Sequence, residues 1–246
     1  IEDEFVEDDF SYKKYEKIEI AKAGHLSLKM NDNIDVDLTV TKRSGIGKFS
    51  FDNSNYGTLI IGTGINSSPP ENIKDAFVKI TSDSSCEGYT RGGDFCGTES
   101  DYKIYFAAEF DRPSTYNGTW KEKKLSTKKS SSGKNSGAYF TFDTDEIHKI
   151  NYRIAISFVS IENAKENLRN EKKHLTFEEY QRETSKEWDK YLSTIKIKSK
   201  NEDRTKQFYT HFYHSLIHPN IVSDINGEYM GADFKVHKTK GDSEQY

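Results

Sequence analysis

The feature that most constrains this chain is a change of hydrophobic period at about Val159. Before it, apolar side chains recur at every second residue; after it, they recur at helical spacing. A period of two puts successive side chains on opposite faces of a strand, whereas a period of 3.6 gathers them on one side of a helix. Leu26, Leu28 and Met30 alternate with polar residues, and after the turn signal Asn31-Asp32-Asn33 the alternation resumes at Ile34, Val36, Leu38 and Val40. Those runs predict a hairpin of half-buried strands. Further short strands are predicted at 49–51, 58–62, 77–81, 102–110, 138–142 and 150–159, the last with Ile150, Tyr152, Ile154, Ile156 and Phe158 on one face. Many short alternating strands punctuated by Gly, Asn, Asp and Ser predict a mainly β fold, an antiparallel β-sandwich over 1–159.

Beyond Val159 the pattern predicts helices. Ser160 is placed to cap a helix starting at Ile161, and Thr176-Phe177-Glu178-Glu179 fits the capping box, in which hydroxyl and carboxylate satisfy orphan amides. The second helix carries Phe177, Tyr180, Trp188, Tyr191, Leu192 and Ile195 on one stripe. A third is predicted from about Asp203 to Ile217, with an apolar surface wide enough to expect burial on more than one side. Pro219 ends it, and Asn226-Gly227 supplies a hairpin turn.

Composition bounds the rest. The 246 residues are polar, with a mean hydropathy of −0.86, yet 15 Phe, 15 Tyr and 2 Trp are enough to build a core. With 36 basic and 40 acidic side chains the net charge is −4, too near neutral for long-range attraction of nucleic acid. No run approaches 18 apolar residues, so no membrane span is expected. The opening IEDEFVEDDF carries six carboxylates and no cation and reads as a solvated segment, or more sharply as an acidic ligand-binding tail. The stretch 121–136 carries six Lys against one Glu and reads as a mobile surface loop, the alternative being a polyanion site. Opening at Ile1 without Met or signal peptide, and stopping at Tyr246 in mid-pattern, the chain is expected to be a piece of something longer.

Few residue constellations carry chemistry. Cys86 and Cys96 flank Gly88, Gly92 and Gly93 as two hairpin arms might; a disulfide, suited to an exported protein, and a pair of buried thiols both stay open. Two sequons, at Asn66 and Asn117, matter only on a eukaryotic secretory route. His211, His214 and His218, at i, i+3 and i+7, would share a helix face compatible with a metal, or be one interface histidine with two solvated neighbours. Asp35 and Asp37 sit on a strand's polar face, solvated rather than calcium-binding, since no Gly-centred loop of oxygen ligands surrounds them. No carboxylate pair has a spacing diagnostic of general acid and base, and G-x-S-x-G, P-loop and zinc-ribbon patterns are absent.

At four points the chain resembles glycoside hydrolase family 92, the calcium-dependent exo-acting α-mannosidases. Glu19-Ile20-Ala21-Lys22-Ala23-Gly24-His25-Leu26 is similar to the family's E-x-A-x-P-G-Y-Y, with Ala23 in place of Pro and His25 and Leu26 in place of the two Tyr. Gly93-Asp94-Phe95-Cys96-Gly97 resembles G-F-C-G, and the run from Tyr102 to Pro113 resembles Y-x-V-Y-F-A-A-E-F-x-R-P. Arg153 to Ser160, with Ala164, Asn167 and Leu168, is the third point. The fourth runs from Phe208-Tyr209 through Tyr213-His214-Ser215-Leu216 to Ser223-Asp224, Gly227, Tyr229, Gly231, Asp233 and Val236-His237.

The resemblance implies an antiparallel, supersandwich-like β domain over 1–159, a helical linker over 160–200, and over 201–246 the start of an (α/α)6 catalytic barrel. It implies that the parent protein removes terminal α-mannose from mannose-containing glycans by inverting hydrolysis, outside the cytoplasm. The glutamate acid, aspartate base and calcium ion would all lie in the part of the barrel beyond Tyr246, so no catalytic or metal-binding residue is expected here. This chain would brace the barrel and shape one wall of the sugar site, with Phe95, Cys96, Asp224, Asp233 and His237 as candidate wall residues. Two rivals stand beside this reading: a free-standing carbohydrate-binding sandwich with exposed Tyr and Trp as stacking platform, and a sandwich from another (α/α)6 family such as the disaccharide phosphorylases.

Overall fold

The structure, a computed structural model, describes residues 15–30, 33–52, 54–64, 73–94, 100–122, 124–171, 176–241 and 243–246. Its strands are β1 (Tyr15–Lys22), β2 (His25–Met30), β3 (Ile34–Val40), β4 (Ser44–Phe51), β5 (Tyr56–Gly62), β6 (Ile73–Ser82), β7 (Ser85–Gly93), β8 (Asp101–Phe110), β9 (Tyr116–Lys121), β10 (Lys124–Ser126), β11 (Ser130–Ser132), β12 (Ser136–Asp143) and β13 (Lys149–Ser157). Helices α1 (Ile161–Asn170), α2 (Phe177–Leu192) and α3 (Glu202–Ser215) follow, then a hairpin of β14 (Glu228–Met230) and β15 (Val236–Lys238). The strands form two antiparallel sheets, one of nine in the order β1-β2-β3-β4-β13-β8-β7-β6-β11 and one of four in the order β10-β9-β12-β5.

The two sheets face each other across an aromatic core. Phe106, Ala108 and Phe110 of β8, Val78 and Ile80 of β6 and Ile150 of β13 meet Ala138, Phe140 and Phe142 of β12. The ring of Phe110 lies 4.7 Å from that of Phe140 and 5.1 Å from that of Phe142. The opposite face of the large sheet is also buried. Ala107 and Ala155 are direct cross-strand partners, and against this flat patch α1 lays Ala164 and Leu168. Ile46 receives Phe177 and Tyr180 of α2, and Arg153 on the same face joins Glu109 and donates to the Tyr180 hydroxyl at 2.7 Å. Ser160 caps α1, accepting from the Asn163 amide, and the capping box of Thr176 and Glu179 is formed at α2.

Several expectations change. The stretch 121–136 is not a free loop: its β10 pairs with β9 and its β11 with β6, so it closes the open side of the sandwich between both sheets. β1, β7 and β9 are strands that periodicity did not predict, because Gly, Thr, Arg and Lys interrupt their alternation. β13 ends at Ser157, and Phe158 lies beyond it rather than on the inner face. The third helix is capped by Asn201, ends at Ser215 before Pro219 is reached, and has no buried residue. It touches α2 on one side, through the 4.8 Å contact of Tyr213 with Trp188. Asn226-Gly227 does form a turn, with Gly227 at φ +83°, but it leads into β14; the two strands of the hairpin are joined further on, around Ala232-Asp233.

Cys86 is a free thiol opposite Ile80 and Ala108, and its strand continues to Gly93, about 23 Å away at ~3.3 Å per residue. Cys86 thus lies on a strand that runs straight on to Gly93, and Cys96 lies outside the described residues. Burial pushes the Cys86 thiol up to about 12, so it stays protonated. Residues 1–10 and the sequon at Asn66 also lie outside them. Asn117 sits in β9, its amide nitrogen donating to Ser114 and Asp83. Asp37 is half-buried and paired, not solvated. Burial pushes its carboxyl up, but hydrogen bonds from His25 and Ser27 and the charge of Lys48 outweigh this and hold it below the usual value.

The Ala107–Ala155 patch sets the distance at which α1 lies on the sheet. Replacing Ala155 by Leu is expected to lower stability by about 1–3 kcal/mol through overpacking. Ala at the half-exposed Ile156 should cost less, and urea unfolding of the two variants checks the order.

Candidate functional site

The segment after α3 returns to the sandwich and is fastened there by one buried carboxylate. Asp224 is 4% exposed. Its oxygens accept from Ser157 Oγ at 2.7 Å, Asn163 Nδ2 at 2.8 Å and Asn167 Nδ2 at 2.7 Å. Asn167 Oδ1 in turn accepts from the Ile225 amide, and Asn163 Nδ2 also reaches Glu228. Arg43 adds a second tie, donating to the Ser223 carbonyl at 2.7 Å while pairing with Glu171 at the end of α1. A buried carboxylate with three donors has its solvation replaced by protein hydrogen bonds.

So anchored, the hairpin of β14 and β15 projects outward. Asp224 and Gly227 close the turn before it, with the Gly227 amide donating to the Asp224 carbonyl at 2.9 Å. A Cβ at Gly227 would come within 2.6 Å of Thr239 Oγ1, so glycine is required there for space as well as for its positive φ. On the hairpin, His237 Nε2 and Asp233 Oδ1 are 2.9 Å apart, and the imidazole lies 5.6 Å from the Tyr229 ring on the neighbouring strand. The His237 hydrogen bond holds the Asp233 carboxyl below the ordinary aspartate value.

Between this hairpin and the start of β8 is a groove of about 770 Å³, lined by Tyr102, Lys103, Tyr105, Phe158, Met230 and Phe234 among others. Phe234 is 73% exposed at its rim. Lys103 Nζ sits 3.4 Å from the Tyr89 ring centroid, and Asp101 pairs with Arg91. Aromatic faces beside a hydrogen-bonded acid and imidazole suit a ring that is apolar on one face and polar at its edge, as pyranoses are.

The groove is bounded by Asp101 at the start of β8 and by residues 222–234. Phe95 and Cys96 lie outside the described residues. Asp224 faces inward, all its contacts on protein, whereas Asp233 and His237 face solvent, so the three do not share one pocket. Lys103, Tyr105, Phe158, Met230 and Phe234 were missed, and only the tyrosine-rich start of β8 hinted at them. His211, His214 and His218 do not form a face, because α3 ends at Ser215 and His218 lies three residues past it. Among the described residues no three His, Cys, Asp or Glu side chains converge on a point that could hold a metal. The calcium ion implied by the resemblance therefore finds no fitting ligand set here, and no chemical step is assigned to it. No helix among them is long and apolar enough to cross a membrane.

Comparison with known proteins agrees with this architecture. The family model described as the glycosyl hydrolase family 92 N-terminal domain matches residues 3–157, and that described as the glycosyl hydrolase family 92 catalytic domain matches 163–246. Among solved structures, the chain is similar to the family GH92 α-mannosidase BT3965 from Bacteroides thetaiotaomicron, at 24% identity and a TM-score of 0.77 over 89% of this chain and 30% of that one. It is likewise similar to the family GH92 inverting mannosidase BT2199 from the same organism, at 21% identity and a TM-score of 0.77, over 89% and 29%. These likenesses establish the fold: a sandwich followed by the start of a helical barrel. The chain spans about a third of the length of the structures it matches. No curated protein matches it.

Replacing Asp224 by Ala would leave three buried donors unpaired. It is expected to cost about 3 kcal/mol in denaturant titration and to strip amide protection from 228–238 before β8. For Asp233 the folded carboxyl titrates below the unfolded one. Its contribution is present above the ordinary aspartate value and lost as pH falls through the depressed one. An NMR titration should give a midpoint below the ordinary aspartate value, moved up toward it by His237→Ala.

Proposed function

The chain belongs to glycosyl hydrolase family 92, and on that premise we propose that it is the amino-terminal part of an enzyme that removes terminal α-mannose from glycans by inverting hydrolysis. In this reading residues 1–159 form the sandwich, 160–200 a helical linker and 201–246 the opening of the catalytic barrel, and the protein acts outside the cytoplasm. The groove between β8 and the β14–β15 hairpin forms part of a wall of the sugar site. Tyr105, Phe158 and Phe234 supply stacking faces, Asp233 and His237 supply hydrogen bonds, and Phe95 and Cys96, which precede β8 in the sequence, are further candidates for the same wall. Asp224 positions the hairpin and does not touch the sugar.

The observation that carries the proposal is the order of the two family matches along one chain, the sandwich match followed by the catalytic one. The bare apolar side of α3 supports it, since that helix has no buried residue and meets α2 and the segment after it through Tyr213 with Trp188 and Tyr209 with the Ile195 carbonyl, whereas a barrel helix is covered by its neighbours. The chemistry of inversion needs two carboxyls about 6.5–9.5 Å apart, with room for a water between them. We assign both, with the calcium ion, to the barrel beyond this chain.

Incubated with 4-nitrophenyl α-mannoside and α-1,2-mannobiose in the presence of calcium, the 246-residue chain is expected to release nothing. The chain extended through its barrel is expected to release mannose whose first anomer by proton NMR is β, and to stop when calcium is chelated. Mannose release by the 246 residues alone would sink the assignment of catalysis to the barrel, and α-mannose as first product would sink inversion.

A further inference from the structure

The helix side of β6, β7 and β8 carries an aromatic row that leads out of the groove. Register places Phe77 of β6, Tyr89 of β7 and Tyr105 of β8 opposite one another, on the face turned away from the aromatic core. The rings of Phe77 and Tyr89 are 5.9 Å apart and those of Tyr89 and Tyr105 6.1 Å, and all three residues are half-buried. Cross-strand aromatic pairs stabilise a sheet. That role would be served better by covering the row, yet α1 lies over the neighbouring one, packing on Ala107 and Ala155 with its Lys165 paired to Glu87 at 2.6 Å.

Tyr105 belongs to the lining of the groove, and from it the row runs across β7 to β6. Its middle is held in place. The Tyr89 hydroxyl donates to Asp75 at 2.8 Å, and Lys103, which also lines the groove, lies over Tyr89 with Nζ 3.4 Å from that ring's centroid and 5.1 Å from the Tyr105 centroid. Groups already fixed lose little freedom when a ligand covers them. Charges on the two sides of the row are paired with each other, Lys165 with Glu87 on one and Arg91 with Asp101 on the other. Such walls offer hydrogen bonds without the one-sign field that draws a polyion. An aromatic floor between polar walls, with the Lys103 ammonium above the middle ring, suits an uncharged chain of pyranoses, whose ring faces are apolar and whose edges carry hydroxyls.

We propose that this row forms leaving-group subsites: an uncharged mannan chain whose terminal sugar lies in the groove continues over Tyr105, Lys103 and Phe77, from β8 to β6. The separations of 5.9 and 6.1 Å are close to the length of one sugar unit, so each position along the row meets a successive sugar. The inference rests on the mannosidase reading of the groove and adds the substrate to it, a long chain rather than a disaccharide.

The probes are α-1,2-mannobiose and α-1,2-linked mannopentaose, titrated into the 246-residue chain and followed by proton NMR. The pentaose is expected to bind at least about fivefold more tightly than the mannobiose, and to shift the ring signals of Phe77 and Tyr89, which the mannobiose leaves in place. Phe77→Ala should bring the ratio of the two affinities to about one, and Phe77→Trp should restore it. Where Phe77→Ala does not fold, the ring shifts of the unaltered chain decide. No binding of the pentaose, equal affinity for the two probes, an absence of ring shifts, or a ratio unmoved by Phe77→Ala would each overturn the proposal. In the chain extended through its barrel, kcat/KM should favour the pentaose by a similar factor. Mannose release from both probes at equal kcat/KM would mean that the barrel covers the row, and would overturn the subsites while leaving the mannosidase reading in place. Release from neither would overturn that reading, and the subsites with it.

Discussion

Much of this structure depends on a contact between two methyl groups. Ala107 and Ala155 stand opposite each other on neighbouring strands, and their small size lets α1 lie close against the large sheet. A larger side chain at either position would lift the helix. With it would go Asn163 and Asn167, which hold Asp224, which in turn seats the hairpin carrying Asp233 and His237. A packing constraint between strands thus fixes the placement of polar groups that lie more than fifty residues further along the chain.

The same strand pair shows how one sheet serves two layers. In β8, Phe106, Ala108 and Phe110 point to the aromatic core, while Ala107 and Glu109 point to the helices. The apolar residues supply burial, and the pairing of Glu109 with Arg153 and Tyr180 supplies direction, since a buried guanidinium needs partners in fixed positions. The burial that holds the helices is modest. Orientation comes from Arg153, Asp224 and the pairing of Arg43 with Glu171, three charged anchors spaced along the helix side of the sheet.

Legibility followed local physics. The strand alternation of 34–40 and 150–156 and the caps at Ser160 and Thr176 were readable because each depends on neighbours a few residues away. β7, with four Gly or Thr residues among nine, was not readable, because its place in the sheet is imposed by pairing with β6 and β8. The lysine-rich stretch read as a loop for the same reason: three-residue strands carry no periodic signal, and only the two sheet edges on either side give β10 and β11 their conformation. Of the candidate residues, Asp224 was found for its position in a motif, but burial gave it an anchoring part.

By itself the sequence determined the mainly β character of the first 157 residues, the helices after them and the family, because periodicity, capping and motif order are carried by residue type and spacing. Only the tertiary structure decided which carboxylate is locked inside and which faces solvent, that the start of β8 meets the hairpin at one groove, and that Tyr56, Tyr116 and Tyr139, far apart in the chain, share one face. Those are consequences of strand register and of layers packing at fixed distances, and neither is a property of any short stretch of chain.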